Sequence, residues 1–296
     1  MDKLLLQLDS SPHASVFDRV VAYDAGADQI MSCAGVTEAE VAELVQGAIF
    51  TRGPKDLHNT AIFIGGRDMA AGERLLTAVR ASFVGPFRVS VMLDSNGSNT
   101  TAVAAVAKIR QALDGQLKGR RIVITAGTGP VGMRAAGLLA LGGAEVTLTG
   151  RTAESGRRAV EAVRQRFGVD VRALAGVGPE ELGSSIETAE ALLNAGAAGV
   201  CLVPREAWQG RSGLRVAVDL NAVPPLGIEG IDVGDNGVDR GGAIVFGALG
   251  VGGLKMKVHK ACVKRLFDRN DVEFDAESIA EVAHELAAPA KAPSIS

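Results

Sequence analysis

The chain has 296 residues, 31 basic against 34 acidic side chains for a formal net charge of −3, and 47% hydrophobic residues. That length suits two domains of ordinary size, each able to bury a core, and the nearly balanced, interspersed charge leaves no electrostatic footprint for nucleic acid or an anionic membrane. No run of about 18 apolar residues marks a membrane span, no signal-peptide pattern is present, and Cys33, Cys201 and Cys262 are odd in number and widely spaced, which argues against a disulfide framework or a zinc site and for the cytoplasm. His13, His58, His259 and His284 form no metal-ligand cluster in sequence.

Residues 4–8 read as a buried strand, 15–26 as a loop and helix, and 29–33 as a second short strand. Thr37 and Glu40 make a capping box that opens a helix through Gly47. A strand at 60–64, a helix over 68–83, a strand at 88–93 and a helix over 100–113 continue the alternation, which predicts a parallel sheet. The polar stretch 115–120 marks the boundary to a second domain.

Residues 121–152 hold an apolar strand, the turn Gly127-Thr128-Gly129-Pro130-Val131-Gly132, a helix of small residues and a second strand over 144–149. The glycines permit a tight turn and the close approach of a pyrophosphate to backbone amides at a helix N-terminus. A lone GxGxxG is weak, but its place in one strand–turn–helix–strand unit predicts a dinucleotide site over a plain glycine-rich connection. The second strand runs into Thr149-Gly150-Arg151-Thr152. NAD enzymes usually place an acid here for the ribose 2′-hydroxyl, whereas an Arg accommodates a 2′-phosphate, so the expected cofactor is NADP, with NAD the alternative. Arg157 and Arg158 read as a solvated helix face.

Beyond this unit, 155–167 and 181–194 read as helices, 198–203, 215–220 and 243–249 as strands, and 277–286 as a final helix after a polar stretch at 268–275. The predicted architecture is α/β: two α/β domains, the second a Rossmann-type doubly wound parallel sheet, separated by an active-site cleft. Residues 1–116 form the substrate domain, completed by a C-terminal helix at 275–288; residues 117–270 form the cofactor domain. Residues 289–296, rich in Pro, Ala and Ser, read as a flexible tail.

In open parallel sheets, ligands bind outside the carboxyl ends of the strands. That rule selects the loops 9–17, 65–68 and above all Asp94-Ser95-Asn96-Gly97-Ser98-Asn99-Thr100-Thr101, which has more hydrogen-bonding groups than a helix cap needs and is read as contacting a polar ligand. Thr101, in the first helical turn, is placed to aim its hydroxyl into the cleft. The second candidate is the glycine-flanked helix start at 247–262, where Lys255 and His259 share a face at i, i+4. A buried ammonium near a helix N-terminus meets an unfavourable dipole, the usual route to a reactive lysine. Lys257, Lys260 and Lys264 read as a basic solvated surface. Asn221, before Pro224-Pro225, is either an amide-recognition group near the nicotinamide or part of a turn fixed by prolines. Phe17 is either a platform for a flat ring or a core residue, and core is the reading its residue type favours.

Taken together, Ser15-Val16-Phe17-Asp18 with Tyr23-Asp24, Ile64-Gly65-Gly66, Met92-Leu93-Asp94 through Thr101, the glycine turn, Asn221-Ala222-Val223-Pro224-Pro225 and Gly252-Gly253-Leu254-Lys255-Met256-Lys257-Val258-His259 resemble the NAD(P)-dependent methylene-tetrahydromethanopterin dehydrogenases of methylotrophic bacteria. The resemblance covers nearly the whole chain and is nearer the NADP-dependent type, some members of which also accept methylene-tetrahydrofolate. It implies a fold related to methylene-tetrahydrofolate dehydrogenase, an active site in the interdomain crevice and a homo-oligomer, a trimer. It also implies active-site roles for Phe17, Thr101, Lys255 and His259, and it promotes Phe17 to a pterin contact. The implied reaction moves a hydride from methylene-tetrahydromethanopterin to NADP and leaves the methenyl form. On the residues alone, a shikimate-type dehydrogenase and a non-catalytic NADP-sensing protein stand as alternatives.

Overall fold

In the computed structural model of the chain, which describes residues 1–176 and 179–287, strand β1 (Leu4–Asp9) is buried along almost its whole length. Helix α1 (Val16–Asp24) leads to β2 (Gln29–Ala34), α2 (Glu38–Ile49) to β3 (Thr60–Gly65), and α3 (Met69–Ala81) to β4 (Ser90–Leu93). All six residues of β3 are buried. Such continuous apolar strands are what a sheet covered on both faces requires. The strands pair in parallel in the order β4-β3-β1-β2. Leu6, Leu8, Ile62 and Ile64 pack with Val41, Val45, Ile49, Leu75, Leu76 and Val79 of α2 and α3 in one core. The capping box at Thr37 is present, with its backbone amide donating to Glu40 Oε2 at 2.8 Å.

Helix α4 (Ser98–Ala112) follows, and then β5 (Arg121–Thr125), α5 (Pro130–Leu141), β6 (Glu145–Gly150), α6 (Ala153–Phe167), β7 (Arg172–Ala175), α7 (Pro179–Glu187), β8 (Ala191–Asn194), β9 (Val216–Asp219), β10 (Asn236–Arg240) and β11 (Ala243–Phe246). Their sheet runs β10-β11-β9-β8-β5-β6-β7, parallel except at β10. This is the doubly wound Rossmann arrangement, whose chain order reverses between β5 and β8. Helix α8 (Ala248–Arg265), β12 (Glu273–Phe274) and α9 (Ala276–Ala287) complete the described chain, and β12 adds to the first sheet beside β4. The first sheet therefore reads β12-β4-β3-β1-β2, a flavodoxin-like order with its own reversal between β1 and β3.

The chain divides into two units, Met1–Thr100 with the chain from Met256 onward, and Thr101–Lys255. The division falls inside α4 and α8, continuous helices that give no composition change in sequence. Among the described residues no helix is long and apolar enough to cross a membrane. The stretch expected as a helix over 181–194 is two elements, α7 and β8, because the short apolar run at 191–193 fits a buried strand as well as a helix face. The strand expected at 198–203 is irregular chain: Gly199 is left-handed with φ +73°, and only Val203 bridges, to Ile228. Strands β7, β10 and β12 have no apolar alternation to announce them. The tail expected at 289–296 lies outside the described residues.

Candidate active site

The three glycines of the turn after β5 do different work. A Cβ on Gly127 would stand 2.6 Å from Leu148 Cδ2 and 2.9 Å from the Ile124 carbonyl, and one on Gly132 would stand 2.6 Å from the Gly127 backbone. A Cβ on Gly129 meets nothing nearer than the Ala126 carbonyl at 3.9 Å. The first and third glycines are thus closed by the protein itself, and the second is open, as a turn that admits a pyrophosphate requires. Gly129 is the N-cap of α5 and offers no side-chain cap, and Pro130 at the first helical position has no amide to satisfy. The amides of Val131 and Gly132 precede the first helical bond, which the Met133 amide makes to the Gly129 carbonyl at 2.9 Å, and such first-turn amides are the ones that suit an anion. These residues fit a dinucleotide.

The turn is tied to the end of β6. The Gly127 amide donates to the Thr149 carbonyl at 2.9 Å and the Ala126 amide to Thr149 Oγ1 at 3.2 Å. Gly150 lies so close to Thr128 that a Cβ there would be 2.7 Å from its methyl carbon. Arg151 follows directly, exposed and, among the described residues, in no ion pair. Thr152 caps α6, accepting from the Ser155 amide at 3.1 Å. Arg158 pairs with Glu154 at 3.5 Å on the surface of that helix, where Arg157 is also exposed.

A buried polar network that sequence reasoning missed closes the carboxyl ends of β5, β8 and β9. Thr125 Oγ1 donates to Asn194 Oδ1 at 2.7 Å, and Asn194 Nδ2 donates to Asp219 Oδ1 at 2.8 Å. Asp219 also accepts from the amides of Asn221 at 3.0 Å and Ile228 at 2.9 Å. Asn221 is buried, and both ends of its amide serve the proline loop: Nδ2 donates to the Pro225 carbonyl at 3.1 Å and Oδ1 accepts from the Val223 amide at 2.9 Å. Of its two sequence readings, the geometry matches the fixed turn. The only sequence signal for Thr125 and Asn194 is their place at strand ends.

In the first unit, the polar loop after β4 faces inward. Asp94 is buried; its Oδ1 accepts from the amides of Asn99 at 2.9 Å and Thr100 at 3.0 Å, and its Oδ2 accepts from the Thr100 hydroxyl at 2.6 Å. Two of the amides that a helix start leaves open are thereby satisfied. Ser95 Oγ donates to the Gly65 carbonyl at 2.8 Å, and Asn99 Nδ2 donates to the Leu93 carbonyl at 2.6 Å. Ser98 Oγ is buried with no hydrogen-bond partner. Where the sequence predicts a loop of ligand contacts, Asp94, Ser95, Ser98 and Asn99 are enclosed by the chain. Asn96, left-handed with φ 56°, is the exposed side chain of the group.

His259 of α8 is fully buried in the same unit. Phe63 of β3 stacks on its ring at 5.6 Å and 10°, Phe17 of α1 is tilted against it at 6.3 Å and 50°, and its Nδ1 lies 3.9 Å from Asp94 Oδ2. One turn on, burial pushes the Cys262 thiol up to about 12, with the Asp94 charge adding to it. Phe17 is 49% exposed, unlike a core residue. Thr101 is half-buried in the first turn of α4. Lys255 is half-buried and stands well inside α8, which starts at Ala248. Lys255 therefore stands outside the first turn of the helix, where the N-terminal dipole acts. Lys260 pairs with Asp24 at 2.7 Å. Phe63 was not singled out by sequence, since a Phe in a buried strand has the pattern of core. Among the described residues no group of three or more His, Cys, Asp or Glu side chains could hold a metal.

Residues 16–96 match the family model for the N-terminal part of methylene-tetrahydromethanopterin dehydrogenase. The chain is 50% identical over 285 residues to the bifunctional protein MdtA of Methylorubrum extorquens, covering 96% of this chain and 99% of that one. It is 37% identical over 277 residues to the NAD(P)-dependent methylenetetrahydromethanopterin dehydrogenase of the same organism, covering 90% and 93%. Among solved structures, ligand-free 5-ketofructose reductase of a Gluconobacter species has a TM-score of 0.51 at 16% identity, covering 97% of this chain and 99% of that one. Shikimate 5-dehydrogenase of Listeria monocytogenes, in complex with shikimate and NAD, has a TM-score of 0.52 at 13% identity, covering 95% and 96%. At such identities these two structures speak for the fold alone.

Proposed function

The chain belongs to the methylene-tetrahydromethanopterin dehydrogenases, and from that premise we propose that it is an oxidoreductase that takes a hydride from the methylene carbon of methylene-tetrahydromethanopterin, with NADP as the acceptor. The nicotinamide ring of the cofactor, when bound, supplies the hydride acceptor. The turn Gly127–Gly132 would hold its pyrophosphate, and Arg151 with the α6 start at Thr152 would hold the ribose phosphate. The hydride step needs no proton transfer, so the chain's task is to orient the carrier and exclude water while positive charge develops on it. In this reading the exposed ring of Phe17 meets the pterin, Asn96 and Thr101 contribute polar contacts, and Lys255 donates to a pterin carbonyl.

What carries NADP over NAD is Arg151, an exposed guanidinium beside the glycine turn at the position where an acid would serve NAD. Arg151→Ala is expected to raise the KM for NADP by about tenfold or more, the loss of one charge-assisted contact, and to leave the KM for NAD unchanged. Steady-state rates with methylene-tetrahydromethanopterin, and in parallel methylene-tetrahydrofolate, followed by nicotinamide absorbance, decide it; an unchanged NADP KM removes the assignment. The resemblance also supports a homotrimer, which light scattering of the purified chain tests, and the three free cysteines support a cytoplasmic location.

A further inference from the structure

His259 is fully buried in the chain, with 0% of its surface exposed, while Phe17, whose ring lies against it, is 49% exposed. An imidazole with no accessible face cannot touch a substrate, and a half-exposed aromatic ring can. From this contrast we infer that His259 is a positioning residue: it acts on the carrier through the ring of Phe17, and Asp94 and Phe63 are the residues that hold it in place. The inference rests on the proposal that Phe17 meets the pterin.

Each support is itself fixed. Phe63 lies in β3, at the centre of its sheet, and presents its face to the imidazole at 5.6 Å and 10°. Asp94 is immobilised by the three hydrogen bonds it accepts at the start of α4, and from there its Oδ2 reaches to 3.9 Å of His259 Nδ1. The imidazole then meets Phe17 at 6.3 Å and 50°, an edge-biased geometry that aromatic pairs favour. The backbone of Phe17 is anchored independently. Asp9 Oδ2 accepts from the Ser15 amide at 3.0 Å, and Ser15, the N-cap of α1, accepts from the Asp18 amide at 3.2 Å. Asp9 thus sets where Phe17 starts, and His259 sets where its ring ends. A platform ordered before binding removes an ordering cost that each carrier molecule would otherwise meet.

The test places 4-fluorophenylalanine at position 17 and follows its fluorine resonance in the full chain, in His259→Gln and in Phe63→Leu. The expected result is one sharp, shifted line in the parent chain that broadens and moves toward the free amino-acid position in both variants. A line that stays put in both overturns the inference. Kinetics give the second reading, from a cycle of Phe17→Ala and His259→Gln. Each single change is expected to raise the KM for the carrier by about tenfold with the KM for NADP unchanged, and the double variant to be no worse than Phe17→Ala within about twofold, since coupled residues are not additive. Multiplied losses would show His259 acting on the substrate directly and overturn the inference. If His259→Gln does not fold, Phe63→Leu takes its place in the cycle. A parent chain that shows the expected fluorine behaviour but no turnover with any methylene carrier leaves the positioning role standing and refutes the proposed function instead.

Discussion

In the proposed function the surface that the second unit offers to a ligand is backbone: Gly129 is open, and Gly127 and Gly132 are glycines because the protein fills the space where their side chains would stand. In the same proposal the corresponding surface of the first unit is a side chain, the Phe17 ring of α1, beside His259 of α8, which Phe63 of β3 and Asp94 of the loop after β4 flank. The first kind of site is specified by the missing atoms of neighbouring residues. The second is specified by packing between residues far apart in sequence. The two should therefore fail differently when single atoms are added or removed.

The largest effect is expected at Gly132. In Gly132→Ala the new methyl would stand 2.6 Å from the Gly127 backbone, so α5 must move off β5, at a cost of about 3 kcal/mol for overpacking against main chain. Cofactor binding should be lost with it. Gly129→Ala sharpens the point, because its methyl has room in the protein: the melting temperature should hold while NADP affinity falls by about tenfold or more, the methyl standing where the pyrophosphate approaches. Thermal melts alongside NADP titrations separate the two. Equal melting losses in both variants would mean that the turn does not divide its glycines between fold and ligand.

The same division explains what could be read from the sequence. The glycine turn is legible because its determinants lie within six consecutive residues and a strand and helix flank them, and the expectation at Arg151 rests on the absence of an acid there. The Asp94–Thr101 loop is legible as polar but not as inward-facing. Its direction depends on the left-handed turn at Asn96 and on Gly65, whose carbonyl receives Ser95 from another strand. Phe63 and His259 meet only in three dimensions, and no spacing rule joins them. Likewise the apolar run at 191–193 carries no periodicity long enough to separate strand from helix, and the exposed edge strand β10 has no buried face to mark it.

A middle-sized effect is expected at Asp94, whose carboxylate, in the first unit, does for α4 what no side chain does for α5. Asp94→Asn keeps the shape and removes the charge from three accepted hydrogen bonds, and the chain should lose about 2 kcal/mol of stability on that account. NADP binding, which the proposed function assigns to the second unit, should be unaffected, while the KM for the carrier rises because His259 loses the carboxylate charge beside it. Chemical denaturation and the two KM values report these separately. A variant as stable as the parent would show that the start of α4 is satisfied in some other way.

The smallest effect is expected at Ser98, and it tests whether the polar loop serves the chain or the ligand. The Ser98 hydroxyl is buried without a hydrogen-bond partner, a state that costs about 1–3 kcal/mol relative to a satisfied group. It stands at the first helical position of α4, past the N-cap, so it does not repay that cost by capping. Ser98→Ala removes the unsatisfied group without changing the backbone, and the melting temperature should stay level or rise by an amount worth no more than about 1 kcal/mol, with kcat and both KM values unchanged. If instead the variant folds normally and kcat/KM for the carrier drops by about tenfold, the hydroxyl finds its partner in the bound carrier. The loop would then belong to the ligand as the glycine turn does, and the contrast between a backbone site and a packed side-chain site would not hold at this position.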